Sequence, residues 1–172
     1  MTDAALDFLL SHGTDRLSHP GGTLYEHLCR VEATLAEWGA GPTVRTAGLC
    51  HAAYGTGGFD VVLLDIAERA TLVDVIGADA EALVYLYGSC DRDAVYPHLP
   101  VTGPLPFRDR FTGETHFPGE PAVRAFLEIT AANELDVMTH NADLAARYGP
   151  GLRTLFRAAS HRLSPAAIRA WR

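Results

Sequence analysis

A chain of 172 residues with 48% hydrophobic content can bury one substantial core, so a single domain over 1–172 is expected. Its 21 acidic residues against 14 Lys and Arg leave a formal net charge of −7 with no basic cluster, which argues against a nucleic-acid partner. All fourteen of those cations are Arg, which excludes Schiff-base chemistry and the lysine of a phosphate-binding P-loop.

Cys29, Cys50 and Cys90 are odd in number and widely spaced, and no charged leader with a long apolar run precedes them. No stretch approaches the roughly 20 apolar residues that span a bilayer. These features lead us to expect a reduced, cytoplasmic protein with no membrane partner.

In chain order, Thr23 and Glu26 form a capping-box pattern, after which Leu24, Leu28, Val31, Leu35 and Trp38 recur at three- and four-residue steps until Gly39. This spacing predicts an amphipathic helix with His27 on its inward stripe. Pro42 suits the first turn of a second helix, on which Val44, Ala47, Gly48 and His51 make a narrow face of mostly small residues. The run "YGTGG" breaks that helix just past His51, so two inward histidines, 24 residues apart, are able to meet.

Asp60 to Arg69 and Thr71 to Ile76 read as short helices, and "GADAEALVYLYG" predicts another with Ala80, Leu83, Val84 and Tyr87 inward. Between Gly88 and Glu120 the prolines at 97, 100, 104, 106 and 118, with the flanking Pro121, rule out a long helix. Inside that segment "FRDRFTGETHF" alternates Phe107, Asp109 and Phe111 around a Thr-Gly turn, the pattern of a small β-hairpin. A loop this long in a compact domain is usually a lid or binding element. We therefore expect it to cover the pocket above His27 and His51, with Arg108 or Arg110 clamping an anionic group bidentately and His116 beside them.

Pro121 opens the longest predicted helix, which runs to Gly149-Pro150. Its stripe of Val123, Phe126, Leu127, Val137 and Met138 is interrupted by Thr130, Asn133 and Glu134. Two C-terminal helices follow, the last opened by Ser164-Pro165. The expected fold is all-α: a helical bundle with a long Pro-rich loop.

The segments "YEHLCRVEATLAEWG" and "AGLCH" resemble the HD-domain superfamily, especially the hydrolase half of the bifunctional alarmone synthetase/hydrolases. "IGADAEALVYLYG" is similar to the segment after that family's metal helix, and "AANELD" falls where its final ligand helix belongs. Within the superfamily the chain looks closest to a subfamily of small proteins carrying "H..G.L.EHL" and "H..YGT..F", here His19 to Leu28 and His51 to Phe59. The resemblance spans about Leu24 to Asn141. It implies an HD-type helical fold, a metal held by histidines of neighbouring helices, and hydrolysis of a phosphate ester.

Three features depart from the family pattern. The His-Asp doublet is His51-Ala52, and the acidic pair four and five residues on is Gly55-Thr56. The last ligand, an Asp in the family, falls on Asn133 if Leu135 is aligned, or on Ala132 if Asp136 takes the place of a later Asn.

Neutral imidazoles bind zinc, iron or manganese, and such sites use three or four donors. His27 and His51 supply two, His19 offers a third, and Asn133, Glu134 or Asp136 an oxygen. One divalent ion is expected, lowering the pKa of bound water and polarising a phosphoryl or carbonyl oxygen. Thr56, Glu134 and Arg110 are then the catalytic candidates, and Tyr54, Arg108, Arg110 and His116 the substrate contacts. The "YGTGG" loop offers backbone N–H groups and the Thr56 hydroxyl to an anion, although the same letters suffice for a helix-ending turn. His12, His98, His140 and His161 have no constellation around them.

The expected function is a metal-dependent hydrolase of a small phosphorylated or anionic metabolite. The missing aspartate and acidic pair equally suit a non-catalytic binder of a nucleotide or small ligand, and an iron-dependent oxygenase is a third option on the same scaffold. The sequence does not determine the oligomeric state, a homodimer being one option.

Overall fold

The computed structural model describes residues 3–59 and 61–172. Among them the chain is all-α, with nine α-helices and two two-stranded ribbons. The helices are α1 (Asp3–Ser11), α2 (Leu24–Glu37), α3 (Pro42–Leu49), α4 (Arg69–Ile76), α5 (Ala78–Gly88), α6 (Arg92–Val95), α7 (Glu120–His140), α8 (Ala142–Ala158) and α9 (Pro165–Ala170). No helix among the described residues is long and apolar enough to cross a membrane.

The capping box at α2 is present in both directions: the Thr23 N–H donates to Glu26 Oε2 at 2.8 Å and the Glu26 N–H to Thr23 Oγ1 at 3.2 Å. Two of the first-turn N–H groups are thereby satisfied, and the helix start is fixed one residue after Thr23. Leu24, Leu28, Val31 and Leu35 are buried, and so is His27 among them. α3 approaches α2 closely because Gly48 has no side chain; a Cβ there would collide with Leu35 Cδ1.

α2, α3, α5 and α7 pack on one another around the core, and α7 runs through its centre with an almost unbroken buried run from Val123 to Glu134. Such a helix is apolar on nearly all sides and therefore shows little amphipathic periodicity. α5 buries Ala80, Leu83, Val84 and Tyr87 as its pattern predicts.

Three boundaries differ from expectation. The first short helix does not form: Asp60 lies outside the described residues, the Leu63 and Leu64 N–H groups both donate to the Ala53 carbonyl, and Asp65 caps a 3-10 turn at Ile66–Glu68 before α4. Two donors tied to the preceding loop hold the chain extended there.

The long predicted helix is two. Asn141 leaves helical geometry (φ −141°, ψ 101°) and its side chain accepts from the Leu144 N–H at 2.9 Å, so it caps α8. Pro150, read as a stop, sits inside α8 on an exposed face.

The Pro-rich segment holds the predicted hairpin, β3 (Phe107–Arg108) against β4 (Thr115–His116), with Phe107 opposite His116. It also holds α6, which the sequence reading passed over. Its middle is pinned from below by Arg162, whose buried guanidinium donates to the Leu99 and Gly103 carbonyls at 2.8 and 2.7 Å. A second ribbon, β1 (Ser18–His19) against β2 (Gly22–Thr23), precedes α2 and carries His19.

Candidate functional site

α2 presents His27 toward α7, and the two helices complete each other's hydrogen bonding. His27 Nδ1 donates to Asp136 Oδ2 at 2.6 Å, and Nε2 lies 3.1 Å from Asn133 Oδ1. Asn133 and Asp136 are three residues apart on α7, hence neighbours on one helix face that grips the ring from two sides. The Asn133 amide is oriented by its Nδ2, which donates to Glu134 Oε1 at 3.3 Å, so His27 Nε2 donates to the amide oxygen.

Asp136 is in turn held by Arg30, one α2 turn beyond His27, through Nε at 2.7 Å and a second nitrogen at 3.0 Å. Burial alone would raise the Asp136 carboxyl, but the hydrogen bonds from His27 and Arg30 outweigh it and bring its pKa down to about 2. Arg30 also donates to the Pro20 and Gly21 carbonyls, which fastens the β1–β2 turn over the site.

His51 sits two residues past the end of α3. Its Nδ1 donates to the Gly48 carbonyl at 2.7 Å, so Nε2 carries the lone pair. Burial, reinforced by the nearby His27 ring, lowers its pKa to about 3, and the ring is neutral at physiological pH. The His27 and His51 rings meet edge to face with centroids 5.4 Å apart. His19 stacks on His27 at 3.9 Å with planes 27° apart, and burial followed by the His27 ring lowers its pKa to about 4. Its Nδ1 is buried without a partner among the described residues.

These rings form one end of a cavity of about 890 Å³. Thr56, Gly57, Gly58 and Phe59 edge it from the glycine loop, Asn133 and Glu134 from α7, and Leu144, Tyr148, Leu152 and Leu155 from α8. α6 contributes Arg92 and Asp93, and the turn after it Tyr96 and Pro97. Arg92 donates to Glu134 Oε1 at 3.1 Å, so the cation and the carboxylate in the cavity neutralise each other.

Of the residues predicted for the site, His19, His27, His51, Thr56, Asn133 and Glu134 line this cavity. Asp136 does not; it stands behind His27 as an anchor with both oxygens engaged, and is corrected from ligand to support. Tyr54 is buried elsewhere, donating to Glu81 Oε1 at 2.8 Å. Arg108 and His116 are exposed on the hairpin. Arg110 donates to the Gly88 carbonyl at 2.7 Å and lies over the Phe111 ring.

None of Tyr54, Arg108, Arg110 and His116 reaches the cavity. The lid expectation fails for the hairpin because Asp109 turns inward to cap the Phe111 and Thr112 N–H groups and to accept from Tyr85, fastening the hairpin beside α5. Only the start of the segment, at α6, reaches the site. The anion-nest reading of "YGTGG" is not supported either: the Gly55, Thr56, Gly58 and Phe59 N–H groups all bond within the loop or the turn before it.

The sequence reading missed Arg92, Tyr96 and the α8 stripe. The stripe was visible, since Leu144, Tyr148, Leu152 and Leu155 follow the helical repeat, whereas nothing local distinguishes Arg92 from the other arginines.

The lone pairs open to a metal ion are those of His51 Nε2 and Asn133 Oδ1, and His27 Nε2 could join them only by giving up the proton it donates to Asn133. Both imidazoles have Nδ1 anchored on an acceptor, as metal-bound histidines do. The rest of a set is missing. Glu134 is paired with Arg92, and among the described residues no three or more His, Cys, Asp or Glu side chains gather as ligands. A ring that donates from both nitrogens, one neutral ring and an amide oxygen provide no anionic charge to offset a divalent ion, so the fit is incomplete.

A family model described as "Domain of unknown function (DUF6817)" matches residues 8–92. The matched span carries His19, His27, His51, the glycine loop and, as its last residue, Arg92, and stops short of α7 and α8. No curated protein and no solved structure matches the chain.

Proposed function

We propose that the protein is a small-molecule enzyme of HD-like helical architecture that works by general acid–base catalysis at His27, without a metal ion. The observation that carries this reading is the asymmetric pair of imidazoles facing one cavity: His27, proton-bearing on Nε2 and backed by the Asp136 carboxylate, opposite His51, whose Nε2 is a bare acceptor. A carboxylate behind Nδ1 fixes the ring's orientation, the arrangement by which an imidazole exchanges protons with a substrate. Burial makes His51 a weak base, so its role is to accept a hydrogen bond and orient a substrate hydroxyl.

The reaction class is proton transfer on a small organic molecule: isomerisation, or addition or loss of water. Substrate takes the place of the Asn133 oxygen at His27 Nε2, receives that proton on an oxygen, and returns one from a neighbouring C–H or O–H in the opposite half-step.

A second reading is favoured by one observation, the Nδ1 anchoring of both rings: a metal-dependent hydrolase of a phosphorylated metabolite, with the ion held by His27, His51 and Asn133. Such an ion would supply Lewis-acid polarisation. Elemental analysis of protein purified without a chelating column, with turnover assays on neutral hydroxy-carbonyl compounds and on phosphate esters, separates the two. The acid–base reading expects substoichiometric metal, and turnover that falls by about 100-fold or more in both His27→Ala and His51→Ala while the helical circular dichroism is kept. Stoichiometric metal with phosphate-ester turnover would establish the second reading instead, and turnover surviving both substitutions would sink both.

A further inference from the structure

The cavity is larger than the chemistry at its end requires. About 890 Å³ is far beyond a packing defect, and it is within the range of sites that enclose a whole small molecule. One wall is α8, whose Leu144, Tyr148, Leu152 and Leu155 recur at steps of four, four and three and so form one apolar stripe along the helix. None of the four is fully buried, and Tyr148 is 46% exposed, although all four face the interior of the cavity wall. Val137 and Met138 of α7 continue the same wall. An apolar stripe facing open space of this size is the lining of a binding site and not of a core.

The charges at the polar end decide what kind of molecule fits. Arg92 is the one arginine among the described lining residues, and Glu134 already neutralises it at 3.1 Å. Asp93 adds a second carboxylate. Four of the loop N–H groups, those of Gly55, Thr56, Gly58 and Phe59, bond within the loop or the turn before it, which leaves Gly57 too few neighbours for an anion nest, and Arg108 and Arg110 lie elsewhere. A phosphate or carboxylate entering this end would meet the Glu134 and Asp93 carboxylates, while Arg92 is already engaged by Glu134 and His27 by Asp136.

From this geometry we infer that the ligand is an uncharged amphiphile, with an apolar body of about two fused rings along the α8 stripe and a hydroxyl or carbonyl at His27, His51 and Asn133. The inference deepens the acid–base reading by naming its substrate class, but its test is binding and not turnover, so the two fail separately.

The probes are 2-naphthol and 2-naphthyl phosphate, which share a body and differ in the charge of the head, titrated into the full chain near pH 7 by fluorescence. 2-Naphthol is expected to bind at least about tenfold more tightly. Leu152→Asp, which places a charge in the stripe at a position that is not fully buried, should weaken 2-naphthol at least tenfold with the thermal midpoint kept; Leu144→Asp is the second variant should the first not fold. Glu134→Gln, which releases Arg92 from its counter-ion, should narrow the preference by raising the affinity for the phosphate. Equal or tighter binding of the phosphate, indifference of 2-naphthol binding to the stripe variants, or no binding of either probe up to millimolar concentration would each overturn the inference.

Discussion

Asp136 shows how one side chain changes meaning with its partners. On α7 it is one more carboxylate, and at the site it is the fixed charge that sets the orientation of His27 from behind, itself clamped by Arg30 through two hydrogen bonds. Removing its charge is expected to act through His27. Asp136→Asn should lower turnover by about 10- to 100-fold and destabilise the protein by about 3 kcal/mol, because it leaves a buried pair half broken. The His27 ring ¹⁵N chemical shifts in the two proteins provide a readout that a purely structural loss would not move. Unchanged shifts with unchanged turnover would remove Asp136 from the positioning role.

At the scale of elements, the site depends on how closely α2 and α3 approach, and that closeness rests on Gly48. The same residue offers the carbonyl that holds His51 Nδ1, so a packing change there is transmitted to the site within one residue's length. A methyl group at Gly48 would meet the end of Leu35, a fully buried side chain that would have to move aside within the core. Gly48→Ala is therefore expected to cost about 1–3 kcal/mol in chemical denaturation and to weaken ligand binding as His51 is displaced. A neutral effect on both would mean that Leu35 repacks freely. α7 carries the opposite lesson: its polar interruptions, Asn133 and Asp136, flank His27, and Thr130 bonds back to the Phe126 carbonyl at 2.7 Å, so what looks like a flawed apolar stripe is a helix built around one buried ring.

For the whole molecule, burying neutral imidazoles has a consequence for stability against pH. His51 is held at about 3 in the folded chain and takes a proton near 6.5 once unfolded. Between those values the unfolded state binds more protons, so stability rises with pH and is lost on acidification. His19, lowered to about 4, acts in the same direction over the upper part of that window, and Asp136 adds to it only below about 3.8, where its unfolded form begins to protonate. From His51 alone the loss at pH 5 is about 2 kcal/mol relative to pH 7. The thermal midpoint should therefore fall between pH 7 and pH 5, and His51→Gln should flatten the dependence. A midpoint as high at pH 5 as at pH 7 would show that the rings are not buried neutral.

What the sequence determined by itself is the part governed by local repeats and local hydrogen bonding: the capped start of α2, His27 on its inward stripe, Gly48 on the face of α3 that meets α2, the hairpin between Phe107 and His116, and an all-α chain. These need only the period of a helix or strand and the reach of a side chain to its own backbone. Tertiary structure decided the rest. The grip on His27 comes from residues 106 and 109 positions away, and Arg92, not Arg108 or Arg110, is the arginine that reaches the cavity. Periodicity tells which face of an element turns inward, but not which other inward face it will meet. That depends on how whole helices pack around a shared core, where the side chains of α6 and α8 arrive beside those of α2 only after the chain has closed on itself.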